Sequence, residues 1–129
     1  MSKRILVAED SSVIQSIAKK VFEFQGYEVD FAKTGKEVLI KLVDNVYDVI
    51  LMDIMMPPGM DGLECTRMIR TLPDPRRSNI PIIAVTGNSR NFSREEYQAL
   101  GINELVQKPI DFDRLVQIVK NLSKEHANA

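Results

Sequence analysis

The 129-residue sequence has one cysteine, one histidine and no tryptophan, and aromatic residues make up 6% of it. A single cysteine, Cys65, excludes a disulfide framework and a cysteine-rich metal site, so a reducing cytosol is the simplest compartment. The net charge of -1 gives no sign of a surface for nucleic acid or anionic lipid. No apolar run is long enough for a signal peptide or a membrane span. We therefore expect a cytoplasmic protein that binds neither nucleic acid nor a membrane.

Hydrophobic residues make up 44% of the sequence, and the length suits one domain with its own core. We expect residues 1–129 to form this single domain, with residues 123–129 as a frayed tail. Ser12 with Gln15, Thr34 with Glu37 and Ser93 with Glu96 have the spacing of capping boxes at helix starts. Asp111 is expected to cap the last helix, Gly26 and Gly101 to end two others, and Pro73 and Pro75 to end the third.

Five strand-like segments alternate with five helical patterns along the chain. Residues 4–8, 47–53 and 81–86 are largely apolar, which is typical of strands buried on both faces of a parallel sheet. Residues 27–32 and 104–107 mix polar with apolar side chains, which indicates edge strands. Right-handed crossovers then favour an α/β fold, an open parallel sheet in the order 2-1-3-4-5 with helices on both faces.

The apolar faces of these helices follow from the same patterns. The residues expected to face the core are Ile14, Ile17, Ala18 and Val21 in the first helix, Val38, Leu39, Leu42 and Val43 in the second, Cys65, Met68, Ile69 and Leu72 in the third, and Phe112, Leu115, Val116, Val119 and Leu122 in the fifth. The fourth helix is polar, and its apolar stripe of Phe92, Tyr97 and Leu100 is thin. A thin stripe indicates low local stability.

Four of the predicted strands end in polar residues. They are Glu9 with Asp10, Asp53, Thr86 and Lys108. Because the carboxyl ends of parallel strands meet at one edge, we expect three carboxylates to crowd there, a repulsion that a divalent cation such as Mg²⁺ would relieve. A lysine and a hydroxyl beside them suit a phosphoryl group, and Asp53 could itself form an aspartyl phosphate. Each of these residues, taken alone, is more often a helix cap, a strand end or a solvated surface charge. The hypothesis of a phosphoryl-transfer site therefore depends on their common position at one edge of the sheet.

Several segments together resemble the receiver domain of bacterial two-component response regulators. They are Ile-Leu-Val-Ala-Glu-Asp, Val-Ile-Leu-Met-Asp-Ile-Met-Met-Pro, Met-Asp-Gly, Ile-Ala-Val-Thr-Gly and Val-Gln-Lys-Pro. The resemblance covers residues 3 to about 122 and implies a flavodoxin-like (βα)5 fold. It also implies a phosphorylation-controlled signalling module rather than an enzyme with a substrate of its own.

The resemblance assigns roles to the polar residues. It implies that Asp53 accepts a phosphoryl group from a phosphohistidine on a histidine kinase or histidine phosphotransfer protein. It implies that Mg²⁺ is bound by Asp10, Asp53 and the backbone carbonyl of Met55, with Glu9 acting through water. Thr86 and Lys108 would contact the phosphoryl group. The peptide bond from Lys108 to the proline after it is expected to be cis.

Two positions depart from the family pattern. Pro58 and Gly59 stand where the family usually has one residue, so this loop is one residue longer. Leu105 stands where the family often has an aromatic switch residue. We expect a downstream protein to bind the fourth helix, fifth strand and fifth helix, and the signal to depend on loop and helix movement. Met55 and Asn88 are expected to flank the path of water to the phosphoryl group.

Two other functions are compatible with parts of the pattern. A Mg²⁺-dependent phosphohydrolase of the haloacid-dehalogenase type would also use an aspartate nucleophile. It would need a second aspartate two residues on, where this sequence has Met55, and a cap for which the chain has no spare length. A receiver that acts only as a phosphorylation-independent scaffold is the other alternative, and the complete acidic cluster argues against it.

Overall fold

The computed structural model describes residues 3–56, 59–87 and 93–128. The five strands in these ranges are β1 (Lys3–Ala8), β2 (Tyr27–Ala32), β3 (Val49–Asp53), β4 (Ile82–Thr86) and β5 (Glu104–Gln107). The six helices are α1 (Ser12–Phe24), α2 (Gly35–Asp44), α3 (Gly62–Arg70), α4 (Pro75–Ser78), α5 (Arg94–Ala99) and α6 (Phe112–Asn128). In the described part of the chain, none of the helices combines the length and the hydropathy needed to cross a bilayer.

The strands form one parallel sheet in the order β2-β1-β3-β4-β5, which confirms the predicted fold class and order. β1, β3 and β4 lie in the middle, and the two mixed strands lie at the edges, as their sequences indicated. The register pairs Ala8 with Met52, and Asp53 with Val85. The carboxyl ends of the three central strands therefore lie side by side.

Alternate residues of the central strands pack into two separate hydrophobic cores, because successive side chains along a strand point to opposite faces of the sheet. Ile5, Val7, Val49 and Leu51 pack with α1 and α6 on one face, whereas Leu6, Ala8, Ile50 and Met52 pack with α2 and α3 on the other. A smaller cluster around Ala84 lies against α5. Each large apolar side chain that is fully buried contributes about 1.5–3 kcal/mol, so these layers fix the sheet and its edge.

Most predicted helix boundaries are confirmed. Thr34 and Ser93 accept hydrogen bonds from the N–H groups of Glu37 and Glu96, each at 3.1 Å. Asp111 accepts from the Arg114 N–H at 3.2 Å, and Gly26 and Gly101 adopt left-handed φ angles of 88° and 96° at helix ends. The prediction that Ser12 caps the first helix was wrong. Ser11 is the N-cap and accepts from the Ile14 N–H at 3.3 Å, because Ser11 has the extended backbone that a cap requires.

Three residues predicted to face the core are exposed instead. They are Ile17 (41% exposed), Val43 (72%) and Met68 (42%). In α1 the buried stripe is formed by Ala18 and Phe22, four residues apart. Each of these helices covers one side of the sheet, so an apolar residue slightly outside the narrow contact stripe faces solvent.

The segment from Pro73 to Ser78 contains a helical turn that the sequence analysis missed. Asp74 is its N-cap and Pro75 occupies the first turn, a position that suits proline because its missing N–H would have no helical partner there. Arg77 of this turn, paired with Asp74, donates to the carbonyl of Leu42 at the end of α2. The prolines therefore end α3 and also begin a turn that caps another helix.

Two further element boundaries were compared with their predicted positions, the start of the third strand and the end of the last helix. The third strand begins at Val49, not at Tyr47, whose buried hydroxyl donates to Asp30 at 2.6 Å. The last helix extends from Phe112 to Asn128, and the fraying expected from Ser123 stays a prediction. Ser123 is fully buried and donates to the carbonyl of Val119 at 2.7 Å, which adds one more turn to the packed helix.

Candidate functional site

The polar residues predicted to share one edge of the sheet lie together there. Asp53 is the last residue of the central strand β3 and is 3% exposed. Glu9 follows β1 and is equally buried, whereas Asp10 beside it is exposed. Thr86 ends β4 and Lys108 directly follows β5. The strand order that places β1, β3 and β4 side by side thus produces a crevice with a buried floor and an open side.

Glu9, Asp10 and Asp53 form the acidic cluster. Each offers one carboxylate oxygen, and these oxygens lie within 4.8 Å of one another. Burial, a hydrogen bond to Asp53 and the charge of Asp53 together raise the pKa of Glu9 to about 7, although the charge of Lys108 acts in the opposite direction. A set of oxygen donors whose joint ionisation is unfavourable suits a hard divalent cation, and exposed Asp10 leaves solvent access. The residues present therefore fit Mg²⁺.

Lys108 is the cation of the crevice. Its Nζ lies 3.0 Å from Oδ2 of Asp53 and 3.4 Å from Oε1 of Glu9. Burial lowers the pKa of Lys108, but the hydrogen bond and charge of Asp53, together with Glu9, raise it above its usual value. The Lys108 N–H donates to the carbonyl of Thr86 at 2.9 Å, and the Lys108–Pro109 bond is cis, as predicted. The side chain is therefore a charged partner aimed at both buried carboxylates.

The second oxygen of Asp53 faces the loop after β3. Its Oδ1 accepts a hydrogen bond from the Met55 N–H at 3.1 Å, and the Met55 side chain is 69% exposed. The carbonyl of Met55 as a metal ligand stays a prediction. Gly59, the extra loop residue, has a left-handed φ of 92°, a conformation that favours glycine. Pro58 and Asn88, and Phe92 of the predicted stripe of the fourth helix, lie outside the described residues.

Gly62, the glycine of the Met-Asp-Gly segment, shapes the site although the sequence indicated no separate role for it. Its N–H donates to the carbonyl of Ile54 at 2.9 Å. A Cβ atom at this position would lie 2.5 Å from the Asp53 carbonyl oxygen and 2.9 Å from Cα of Ile54. The start of α3 therefore packs directly on the backbone that carries Asp53, and only glycine leaves room for it. The Met-Asp-Gly segment was the available signal.

Leu105, at the position where the family often has an aromatic residue, packs against aliphatic side chains and one ring. Leu105 is half-buried and packs against a cluster of Ile54, Ala84, Tyr97 and Ile102. In the register of the sheet, Leu105 lies beside Ala84. Among the described members of this cluster, the aromatic ring comes from helix α5 and not from strand β5.

Comparison with known proteins is consistent with this geometry. The family model described as the response regulator receiver domain matches residues 5–120. The CAI-1 autoinducer sensor kinase/phosphatase CqsS of Vibrio cholerae is 40% identical over 117 residues, which cover 91% of this chain and 17% of that protein. This chain therefore spans only a small part of that kinase.

Solved structures of similar domains superpose on nearly the whole chain. A CheY-like receiver domain protein from Methanospirillum hungatei has a TM-score of 0.85 at 30% identity, with 99% of this chain and 98% of that chain covered. The receiver domain of the sensor histidine kinase PA1611 from Pseudomonas aeruginosa has a TM-score of 0.83 at 31% identity, with 96% and 99% covered. A magnesium ion is coordinated in the active-site cleft of that domain.

Proposed function

Because this chain belongs to the family of response regulator receiver domains, we propose that it is a signalling module switched by phosphorylation of Asp53. The phosphoryl donor is a phosphohistidine on a histidine kinase or histidine phosphotransfer protein. One observation carries the proposal: Asp53 ends the central strand with one oxygen on Lys108 and the other on the Met55 N–H, beside two further carboxylates. We further propose that residues 3–122 are the receiver domain and that it acts in the cytoplasm.

The chemistry is a displacement at phosphorus. A carboxylate oxygen of Asp53 forms the new O–P bond while the P–N bond to the donor imidazole breaks, and the electron pair of that bond leaves on the nitrogen. Lys108, already 3.0 Å from Asp53, offsets the negative charge brought in by the phosphoryl oxygens. The Thr86 hydroxyl, at the neighbouring strand end, donates to one of those oxygens.

The acidic cluster would hold Mg²⁺ through Asp10, Asp53 and the Met55 carbonyl, with Glu9 acting through water. When bound, the ion supplies charge neutralisation and a fixed orientation for phosphoryl oxygens. The position of the three carboxylates supports this assignment, because one oxygen of each lies within 4.8 Å of the others. We propose that the chain acts only on its own phosphoryl group, because Met55 occupies the position at which a haloacid-dehalogenase-type phosphohydrolase would need its second aspartate.

The phosphodonor is expected to contact the apolar surface next to Lys108. A depression of about 300 Å³ lies there, lined by Ile14, Ile17, Lys108, Pro109, Ile110 and Phe112. Its apolar walls beside a charged side chain suit a helical partner that carries the phosphohistidine. We expect the downstream partner to bind the surface formed by α5, β5 and α6, which meets this depression at Phe112, the first residue of α6. Chemical-shift changes on phosphorylation that avoid residues 87–108 would contradict this partner surface.

The test of the proposed function is incubation with phosphoramidate and Mg²⁺, followed by intact-mass measurement. We expect one phosphoryl group on the wild type, removed by hydroxylamine as an acyl phosphate should be, and none on Asp53→Asn. Asp61→Asn is the matched control, because Asp61 is exposed and Asn retains the N-cap bond to the Glu64 N–H. Labelling of Asp53→Asn at the wild-type level contradicts the assignment. Continuous phosphate release without an adduct supports the hydrolase instead.

A further inference from the structure

Gln15 is the residue of α1 whose side chain reaches back to the end of β1. The spacing of Ser12 and Gln15 predicted a capping box, but the cap is Ser11. The side-chain amide of Gln15 donates instead, from Nε2, to the backbone carbonyl of Glu9 at 2.5 Å. Gln15 is not a member of the acidic cluster, but it is bonded to the backbone of a residue that is.

The peptide unit between Glu9 and Asp10 is held at both of its polar groups. Its carbonyl, which belongs to Glu9, accepts the hydrogen bond from Gln15. Its N–H, which belongs to Asp10, donates to Oε2 of the Glu9 carboxylate at 2.9 Å. Because a peptide unit is planar, hydrogen bonds at both groups fix the direction of the whole plane. The backbone on the amino side of Asp10 is therefore fixed in advance of any ligand.

The backbone on the carboxyl side of Asp10 is bonded to the same helix residue. The Gln15 N–H donates to the carbonyl of Ser11 at 3.0 Å. The Ser11 N–H donates to Oε2 of Glu9 at 3.4 Å, and the Ser11 hydroxyl accepts from the Ile14 N–H at 3.3 Å. Gln15 thus bonds to the residue before Asp10 through its side chain and to the residue after Asp10 through its backbone.

The other polar groups of Glu9 have partners of their own. Its N–H donates to the carbonyl of Ala32 at 2.9 Å, and its Oε1 lies 3.4 Å from Nζ of Lys108. Removal of the Gln15 amide would leave the Glu9 carbonyl to mobile water, because Asp10 beside it is exposed. The peptide that carries Asp10 would then lose one of the two bonds that fix its direction.

A fixed direction for Asp10 matters more for Mg²⁺ than for a larger cation. Mg²⁺ requires nearly ideal octahedral geometry at short distances, whereas Ca²⁺ accepts more ligands in a flexible arrangement. Gln15 carries no charge, so its replacement alters the orientation of Asp10 and leaves the charge of the acidic cluster unchanged. Orientation and charge can therefore be separated at this position.

We propose that Gln15 is a positioning residue that holds Asp10 in the orientation required by Mg²⁺ and so favours Mg²⁺ over Ca²⁺. The inference rests on the proposed function, in which Asp10 is a ligand of the ion. Because the peptide before Asp10 is already fixed, less conformational freedom is lost when the ion binds. Hydrogen-bonded partners of this kind orient the ligands of metal sites and contribute to metal affinity.

The experiment is calorimetric titration of the full chain with Mg²⁺ and, separately, with Ca²⁺. Gln15→Leu removes the donor and keeps a side chain that suits a helix. We expect its dissociation constant for Mg²⁺ to rise by about ten-fold, the lower end of the effect of losing a partner that orients a metal ligand. The dissociation constant for Ca²⁺ should stay within about two-fold of the wild type. Gln117→Leu, the same change at an exposed position of α6, is the matched control.

The outcomes separate this proposal from the proposed function. Unchanged Mg²⁺ affinity in Gln15→Leu overturns the positioning role and leaves the Mg²⁺ site intact. Equal weakening for both ions, or the same loss in Gln117→Leu, also overturns it, since a general loss of structure would then explain the change. A wild type that binds Ca²⁺ as tightly as Mg²⁺ overturns the selectivity, and one that does not bind Mg²⁺ overturns the proposed site as well. If circular dichroism shows that Gln15→Leu is unfolded, Gln15→Met is titrated with the same expected result, because methionine has similar length and no donor.

Discussion

The Nζ atom of Lys108 lies 3.0 Å from Oδ2 of Asp53 and 3.4 Å from Oε1 of Glu9. One ammonium group thus faces two buried carboxylates, in a crevice that also fits a divalent cation. The lysine and the cation would neutralise the same negative charge, so we expect Lys108 to weaken the binding of the cation.

Lys108→Met should therefore tighten Mg²⁺ binding. Methionine has similar length and no charge, so the ion no longer meets the repulsion of the ammonium group. We expect the dissociation constant for Mg²⁺ to fall by about ten-fold. The corresponding free energy is smaller than the interaction of two unit charges 4 Å apart, which is roughly 4 kcal/mol at an effective dielectric constant of 20. Calorimetric titration measures it, with exposed Lys120→Met as the control. An unchanged or weaker affinity would show that Lys108 does not compete for this charge.

Asp10→Asn should weaken Mg²⁺ binding, because one anionic ligand is lost. We expect a loss of about ten-fold, equivalent to about 1.4 kcal/mol. Asp10 is exposed, so the free energy of unfolding without Mg²⁺ should change little. Asp113→Asn, at an exposed position of α6, serves as the control in the same titration. A Mg²⁺ affinity equal to that of the wild type would remove Asp10 from the ligand set.

Met55→Asn should shorten the lifetime of the phosphorylated state. The Met55 side chain is exposed beside Asp53, where an apolar group can crowd water but cannot orient it. Asparagine can hold a water by hydrogen bonding, so faster loss of the phosphoryl group is expected. The measurement is decay of labelled protein in Mg²⁺ buffer, and exposed Met68→Asn is the matched control. Equal or slower decay in Met55→Asn would mean that Met55 does not shield the phosphoryl group.

Arg70→Ala should destabilise the fold far more than Arg67→Ala on the same helix. Arg70 donates to the carbonyls of Gly101, Ser78 and Ile80, and burial lowers its pKa. Loss of these charge-assisted bonds should cost about 2–4 kcal/mol in the free energy of unfolding. Arg67 is exposed, and its removal should stay within about 0.5 kcal/mol. Urea denaturation compares the two, and similar costs would contradict a special role for Arg70.

Gly62→Ala should disturb the segment that carries Asp53. The added Cβ would meet the Asp53 carbonyl at 2.5 Å, so backbone must shift, at a cost of about 1–3 kcal/mol. Phosphorylation should slow as well, since the carboxylate is displaced. Gly87→Ala is the stability control, because a Cβ there meets nothing within 4 Å. If thermal unfolding of Gly62→Ala matches the wild type, the close approach is not rigid.

The order of the sheet and the position of the site could both be predicted from the residue pattern. The apolar runs of β1, β3 and β4 require burial on both faces, which only central parallel strands provide. Strand order followed from the handedness of the crossovers, and the polar residues after each run then had to share one edge. For this reason Glu9, Asp53 and Lys108 could be grouped before any distance was known.

The contacts between residues far apart in the chain could be seen only in the folded molecule. Spacing along a helix does not reveal how wide its buried stripe is, so Ile17 and Val43 were placed on the wrong side. The spacing also could not show that Gly62 touches the backbone of Asp53, or that Tyr97 supplies the ring missing at Leu105. These features depend on how separately predicted elements pack, and packing is set by three-dimensional fit and not by sequence period.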